Sequence, residues 1–114
     1  MQKNEKYQQI IVSFLEEYAV YKPVNLPNCD NQVIADFERN HFQLVRIGWD
    51  DDETFVYHVV FHFDLKPDGK IWIQANWTDL DMAQELMERG VEKMDIVIGF
   101  QAPRHRQYTG YAVA

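Results

Sequence analysis

Between residues 4 and 21 the apolar positions Tyr7, Ile10, Ile11, Phe14, Leu15 and Tyr18 recur three and four residues apart. That spacing is the period of one helix face, so it predicts an amphipathic helix with Glu16 and Glu17 off the buried stripe. Pro23 and Pro27 then stop the helix, and "KPVNLPNCDN" reads as a loop. Beyond the loop the pattern becomes strand-like. Four stretches are predicted as strands: "QVIADFE" (32–38), "FQLVRIGW" (42–49), "TFVYHVVFHFDL" (54–65) and "KIWIQA" (70–75). The connections are short and polar: Asn40 with His41, then "DDDE", then "KPDG". In the last, Pro67 presets φ, Asp68 can bond back to the backbone and Gly69 tolerates positive φ. Strands joined in this way predict an antiparallel meander.

A second helical pattern follows. Thr78 is a suitable N-cap, Asp79 and Asp81 suit the first turn, and Leu80, Ala83, Leu86 and Met87 supply the apolar face. Gly90 fits a C′ terminator, with Val91 placed for the hydrophobic contact that follows one. "DIVIGF" (95–100) predicts a further short strand. The fold class is therefore α+β: an antiparallel sheet of about four to six strands, an N-terminal helix and a second helix near residues 78–89. No repeat or linker interrupts residues 1–114, which predicts one domain.

Composition changes this picture little. The chain has 114 residues, 46% hydrophobic and 25% charged. A chain of that size buries roughly two-thirds of its unfolded surface, enough for its own core. Seven Phe, six Tyr and three Trp are more than one such core holds, so some are expected at an interface. The net charge of −7 argues against broad DNA binding, which depends on neutralising phosphates. It suits steering towards a basic partner. Cys29 is the only cysteine, so neither a disulfide framework nor a cysteine-based zinc site is expected. No secretory leader pattern and no apolar run of about 18 residues is present, so the expected location is the cytoplasm, with no membrane contact.

Candidate chemistry is sparse. His58, His62 and Asp64 share a parity on one strand, opposite an apparent core face of Tyr57, Val59, Phe61, Phe63 and Leu65. His58 and His62 stand ~13 Å apart along a strand, too far to share an ion. His62 and Asp64 can share one only if a third ligand comes from elsewhere, and a polar, partly exposed sheet face is the preferred reading. "DDDE" (50–53) lacks the spacing of a calcium loop and reads as a solvated turn. Ser13 is a lone serine in a helix, and Cys29 has no neighbouring histidine, so nucleophilic catalysis has no support. The glycines are too scattered to cradle a phosphate. Arg104, His105 and Arg106, with Tyr108 and Tyr111 nearby, make a small basic and aromatic cluster. Its arginines are expected to pair with the protein's own acids or with a partner rather than with nucleic acid. Tyr111-Ala-Val-Ala114 is expected to be an extended segment packed on the body of the domain. Trp72 lies opposite Ile71 and Ile73 in parity, which predicts cover on both faces of its strand, by a helix and by a second subunit.

Longer stretches carry a resemblance. "EKYQQIIVSFLEEYA" followed by Lys-Pro, "ERNHFQLVRIGWD", the hairpin "HFDLKPDGKIWIQ", "WTDLDMAQELMERGVEKMDIVIGF" and the ending "PRHRQYTGYAVA" together resemble the XisI family, the fdxN element excision controlling factors of cyanobacteria. The likeness covers nearly the whole chain. The three-acid run Asp50–Asp52 is a departure that bears only on hairpin length. The resemblance implies an XisI-like fold and an accessory role in excising a DNA element during heterocyst development. It implies that a separate recombinase performs the strand chemistry and that the XisI-type protein acts beside a second controlling factor, XisH. It implies no catalytic residue and no cofactor. The expectation is a non-catalytic factor working by protein–protein contacts with an XisH-type partner, and with a second copy of itself. Arg104, His105, Arg106, Tyr108, Tyr111 and Trp72 are its candidate partner-facing residues, and no metal site is expected. The alternatives are weak DNA binding through the Arg104–Arg106 loop, or a metal-dependent hydrolase using His62 and Asp64.

Overall fold

The structure, a computed structural model, describes residues 2–21 and 25–114. The helix stop expected at Pro23 lies outside the described residues. Helix α1 (Lys3–Ala19) is followed by strands β1 (Cys29–Asp36), β2 (His41–Trp49), β3 (Phe55–Leu65) and β4 (Ile71–Asn76). Helix α2 (Met82–Glu88), a 3₁₀ turn (Lys93–Asp95), strand β5 (Ile96–Ile98) and a longer 3₁₀ segment (Pro103–Tyr108) complete the chain. The strands form one sheet in the order β1-β2-β3-β4-β5. The first four pair antiparallel, as expected of a meander. β5 instead runs parallel to β4, because α2 carries the chain back to the starting edge before it re-enters the sheet.

The turns explain where strands stop. Asp36 ends β1 by accepting from the backbone N–H groups of Glu38 and Arg39, at 3.1 and 2.9 Å. Asn40 completes the reversal with φ of 62°, a conformation asparagine tolerates. In the "KPDG" turn Gly69 has φ of 88° and donates to the Lys66 carbonyl at 2.9 Å, as its sequence predicted.

The core lies on one face of the sheet. Tyr7, Ile11, Phe14 and Leu15 of α1 and Met82, Ala83 and Leu86 of α2 close over Phe42, Leu44, Phe61, Phe63, Leu65, Ile71, Ile73 and Ile96. Phe14 meets Phe61 edge-to-face at 5.3 Å, and Tyr18 does so at 5.0 Å.

Two expectations need correction. The first is the N-cap of α2. Thr78 instead accepts from the Leu80 N–H at 3.1 Å and donates to Asn76 at 2.6 Å, closing a turn before the helix. Asp81 is the cap and accepts from the Gln84 N–H at 3.1 Å. The other end of α2 is as read: Gly90 donates to Met87 and Val91 to Leu86, the paired bonds of a Schellman ending. The second correction concerns β3. Tyr57 was placed on the core face but is 63% exposed. The cause is a β-bulge at Val60, which opposes no residue of β2 and reverses the alternation. A second bulge leaves Gln74 as the extra residue of β4.

The last residues dock as an extended segment only in part. The Ala112 N–H donates to the Ile96 carbonyl at 2.9 Å, and Ala112 bridges Val97 in parallel with 4% of its surface exposed. Val113 is already 53% exposed.

Candidate functional site

The face of the sheet away from the helices carries a row of cross-strand neighbours. His41, Asp64, Trp72 and Val97 come one each from β2, β3, β4 and β5. In the next row Gln43 stands opposite His62. Side chains paired this way are in contact range, and diagonal partners such as His41 and His62 stay within reach of long side chains.

The face divides into two halves. Towards β5 it is apolar and closed. The Arg106 guanidinium lies 4.8 Å from the centre of the Trp72 ring and Lys66 Nζ lies 5.5 Å from it. Val97 beside it is buried. Arg106 is fixed there by donating to the carbonyls of Gln101 at 3.1 Å and Gly99 at 3.3 Å. The outer cover expected over Trp72 is thus supplied by the chain's own 103–108 segment.

Towards β2 the face is polar and open. Asp64 Oδ1 accepts from His41 Nδ1 at 2.7 Å and from His62 Nε2 at 2.8 Å. Asp64 Oδ2 accepts from Gln74 Nε2 at 3.2 Å. Partial burial alone raises the Asp64 pKa, but these three hydrogen bonds outweigh it and hold the carboxyl below the usual carboxylate range. An ionised carboxylate only accepts, so each histidine presents a protonated nitrogen to it. His62 Nδ1 is then left to accept from the Gln43 amide at 2.9 Å. A shallow hollow of about 360 Å³ opens in front of the group, with Ile34 and Asp36 on its far side.

The bulge at Val60 makes this meeting happen. From the loop end the pairs run Trp49–Phe55 through Val45–Val59, and continuing that register would set His41 opposite Phe63. The extra residue moves the register by one, and His41 meets Asp64. The third ligand for which the sequence named no source is therefore His41. The signal for it, an irregularity in β3, is not visible in residue parity. His58 does not join the group: it lies against Trp77, with ring centres 5.9 Å apart.

The candidate partner-facing residues are not one patch. Arg106 and Trp72 are locked together as described. Arg104 and His105 are exposed, and Tyr108 is 79% exposed, all on the segment that Arg106 anchors. Tyr111 faces another way: it lines a hollow with Ile73, Met82 and Ile98, and Lys93 Nζ sits 5.6 Å from its ring centre.

No catalytic constellation is present among the described residues. Ser13 is exposed on α1 beside a hollow formed with Gln9, Ile10 and Arg89. Cys29 is a buried thiol at the start of β1. The acidic run at 50–53 is a solvated turn, in which Asp51 accepts from the N–H groups of Glu53 and Thr54 at 2.8 and 2.6 Å. The His41, His62 and Asp64 group is a cluster able to hold a metal ion, with its three ligand atoms within 4.8 Å of one another. No helix among the described residues is long and apolar enough to cross a membrane.

Comparison with known proteins gives a consistent result. Comparison with curated proteins finds no match. Among solved structures, an XisI-like protein from Anabaena variabilis ATCC 29413 is 46% identical. It aligns over 97% of this chain and 99% of its own, with a TM-score of 0.87. The fdxN element excision controlling factor XisI from the same organism is 26% identical. There the alignment covers 99% of this chain and 100% of the other, with a TM-score of 0.82. Residues 1–113 match the family described as XisI protein. With that match spanning nearly every residue, and both relatives superposing over almost the whole chain, the chain belongs to the XisI family.

Proposed function

We propose that this protein is a non-catalytic controlling factor for excision of a DNA element, acting through protein contacts with an XisH-type partner. The relative described as an fdxN element excision controlling factor supports the process. The observation that carries the mode of action is the anchored 103–108 segment. It holds Arg104, His105 and Tyr108 outward on a backbone that Arg106 fixes to Trp72. An exposed aromatic beside a cation, on a support that loses little freedom on binding, suits an interface anchor. The net charge of −7 favours encounter with a basic, DNA-handling partner.

Direct DNA contact through the same segment is the weaker reading. Arg106 is committed to Trp72, which leaves Arg104 and His105 to meet phosphates, too few for useful affinity in an acidic protein. The test is co-purification with the XisH-type protein at low and moderate salt. A stable complex is expected, weakened at least tenfold by Arg104→Ala with Tyr108→Ala while the melting temperature stays unchanged. Absence of a complex at both salt concentrations refutes the proposal. A mobility shift with plain duplex DNA at low salt would favour the DNA reading instead.

A further inference from the structure

We propose that His41, His62 and Asp64 form a binding site for a divalent first-row transition metal, represented here by Zn²⁺. This goes beyond the partner contact above and does not depend on it. Two imidazole nitrogens and one carboxylate oxygen are donors that suit Zn²⁺, Co²⁺, Ni²⁺ or Fe²⁺ rather than Ca²⁺ or Mg²⁺. The donors already converge. His41 Nδ1 and His62 Nε2 both point at Asp64 Oδ1, at 2.7 and 2.8 Å, and all three ligand atoms fall within 4.8 Å of one another. Tetrahedral zinc with bonds of about 2.0–2.1 Å holds its ligands about 3.3 Å apart. The carboxylate therefore needs to separate from each ring by about half an ångström, while the two ring nitrogens, within 4.8 Å of each other, close by up to about 1.5 Å; side-chain rotations supply both movements.

The surroundings support the same geometry. The ligands stand on paired strands, so their backbones are fixed by the β2–β3 ladder. The Gln74 amide bonds the other Asp64 oxygen at 3.2 Å and orients the carboxylate. Gln43 meets the far nitrogen of His62 at 2.9 Å, and turning its amide over would supply an acceptor for that nitrogen once Nε2 is metal-bound. Such outer partners set ligand orientation in protein metal sites. Gln74 is itself confined, because a side-chain carbon at Gly99 would stand 2.4 Å from its amide oxygen. The hollow towards Ile34 and Asp36 leaves the fourth position open to water or to an incoming side chain. Each ring keeps one proton as the metal enters: it moves to the nitrogen away from Asp64, which at His62 is the one facing Gln43.

The experiment is titration calorimetry of the full chain, stripped with a chelator, against ZnCl₂, with a thermal melt in parallel. One saturable site and a raised melting temperature are expected, with Ca²⁺ producing neither. His41→Ala and His62→Ala should each weaken Zn²⁺ binding at least tenfold. His58→Ala and His105→Ala should leave it within twofold. His41 is an exposed side chain, so His41→Ala reports even if His62→Ala does not fold. No saturable Zn²⁺ uptake overturns the proposal. So does uptake that survives His41→Ala unchanged, or that is lost equally in His58→Ala or His105→Ala.

Discussion

Replacing Tyr7 by Phe isolates one buried polar tie between the two ends of the chain. Tyr7 is 2% exposed, and its hydroxyl donates to Asp95 Oδ2 at 2.6 Å while accepting from the Glu92 N–H at 3.2 Å. Lys3 Nζ completes the group at 3.0 Å from Asp95. The substitution keeps the ring and opens no cavity, so its effect is that of the hydroxyl. A hydrogen bond to a charged acceptor contributes about 1.5–3 kcal/mol, and the orphaned Glu92 N–H adds to the loss. A destabilisation of about 2–3 kcal/mol is expected, measured by urea unfolding followed through tryptophan fluorescence at neutral pH. A second signature lies at high pH. Burial first, and then the bond to Asp95, push the Tyr7 phenol up from 10.0 to about 12. A group whose folded pKa is raised stabilises fully below its unfolded pKa, and that stability is lost as pH climbs from 10.0 towards about 12. At about 1.4 kcal/mol per pH unit the loss approaches 3 kcal/mol. The wild-type protein should therefore lose its advantage over Tyr7→Phe across that window. A variant within about 0.5 kcal/mol of wild type at neutral pH, or a gap that persists undiminished at pH 12, refutes the reasoning.

Other perturbations are as direct. Gly69→Val should destabilise by about 1–3 kcal/mol, because a β-branched residue resists the φ of 88° that closes the β3–β4 turn; an unchanged melting temperature would contradict it. Arg106→Ala should cost about 1–2 kcal/mol through two backbone hydrogen bonds and the stacking on Trp72, whereas Arg104→Ala should stay within about 0.5 kcal/mol in the same denaturant assay. Deleting residues 111–114 removes the Ala112 bridge to β5 and the Tyr111 packing. It should cost about 2–3 kcal/mol by area, and a truncated protein melting at the wild-type temperature would show that the docking contributes nothing.

The elements that were legible in the sequence are those whose signals are local. The α1 stripe, the "KPDG" turn and the Gly90 ending of α2 each follow from residue type and spacing within a few positions. What was not legible depends on partners distant in sequence. By spacing Thr78 caps the helix with Asp81 in its first turn, but Asn76 engages Thr78 and the cap falls to Asp81. Arg106 reads as a cation paired with an acid or a partner until Trp72 and two backbone carbonyls are placed beside it. The candidate site shows the same limit most sharply. His62 and Asp64 are adjacent in the pattern, but His41 joins them only because the register moves by one residue at Val60.

That irregularity also stores slack in the hairpin. Val59 pairs with Val45 and Phe61 with Leu44, so Val60 has no partner on β2. A chain shortened by one residue at this point would keep every partner on both sides, including His41 with Asp64, and would regain an uninterrupted alternation along β3. Its loss would be the buried Val60 side chain, the bond from the Trp77 N–H to the Val60 carbonyl at 3.0 Å, and some local twist. Gln74 holds a similar reserve in β4, but spending it would strip Asp64 of its amide. Length changes within the family can therefore fall at position 60 and leave the polar cluster assembled. At position 74 the strands would still pair, yet the carboxylate would be left to turn.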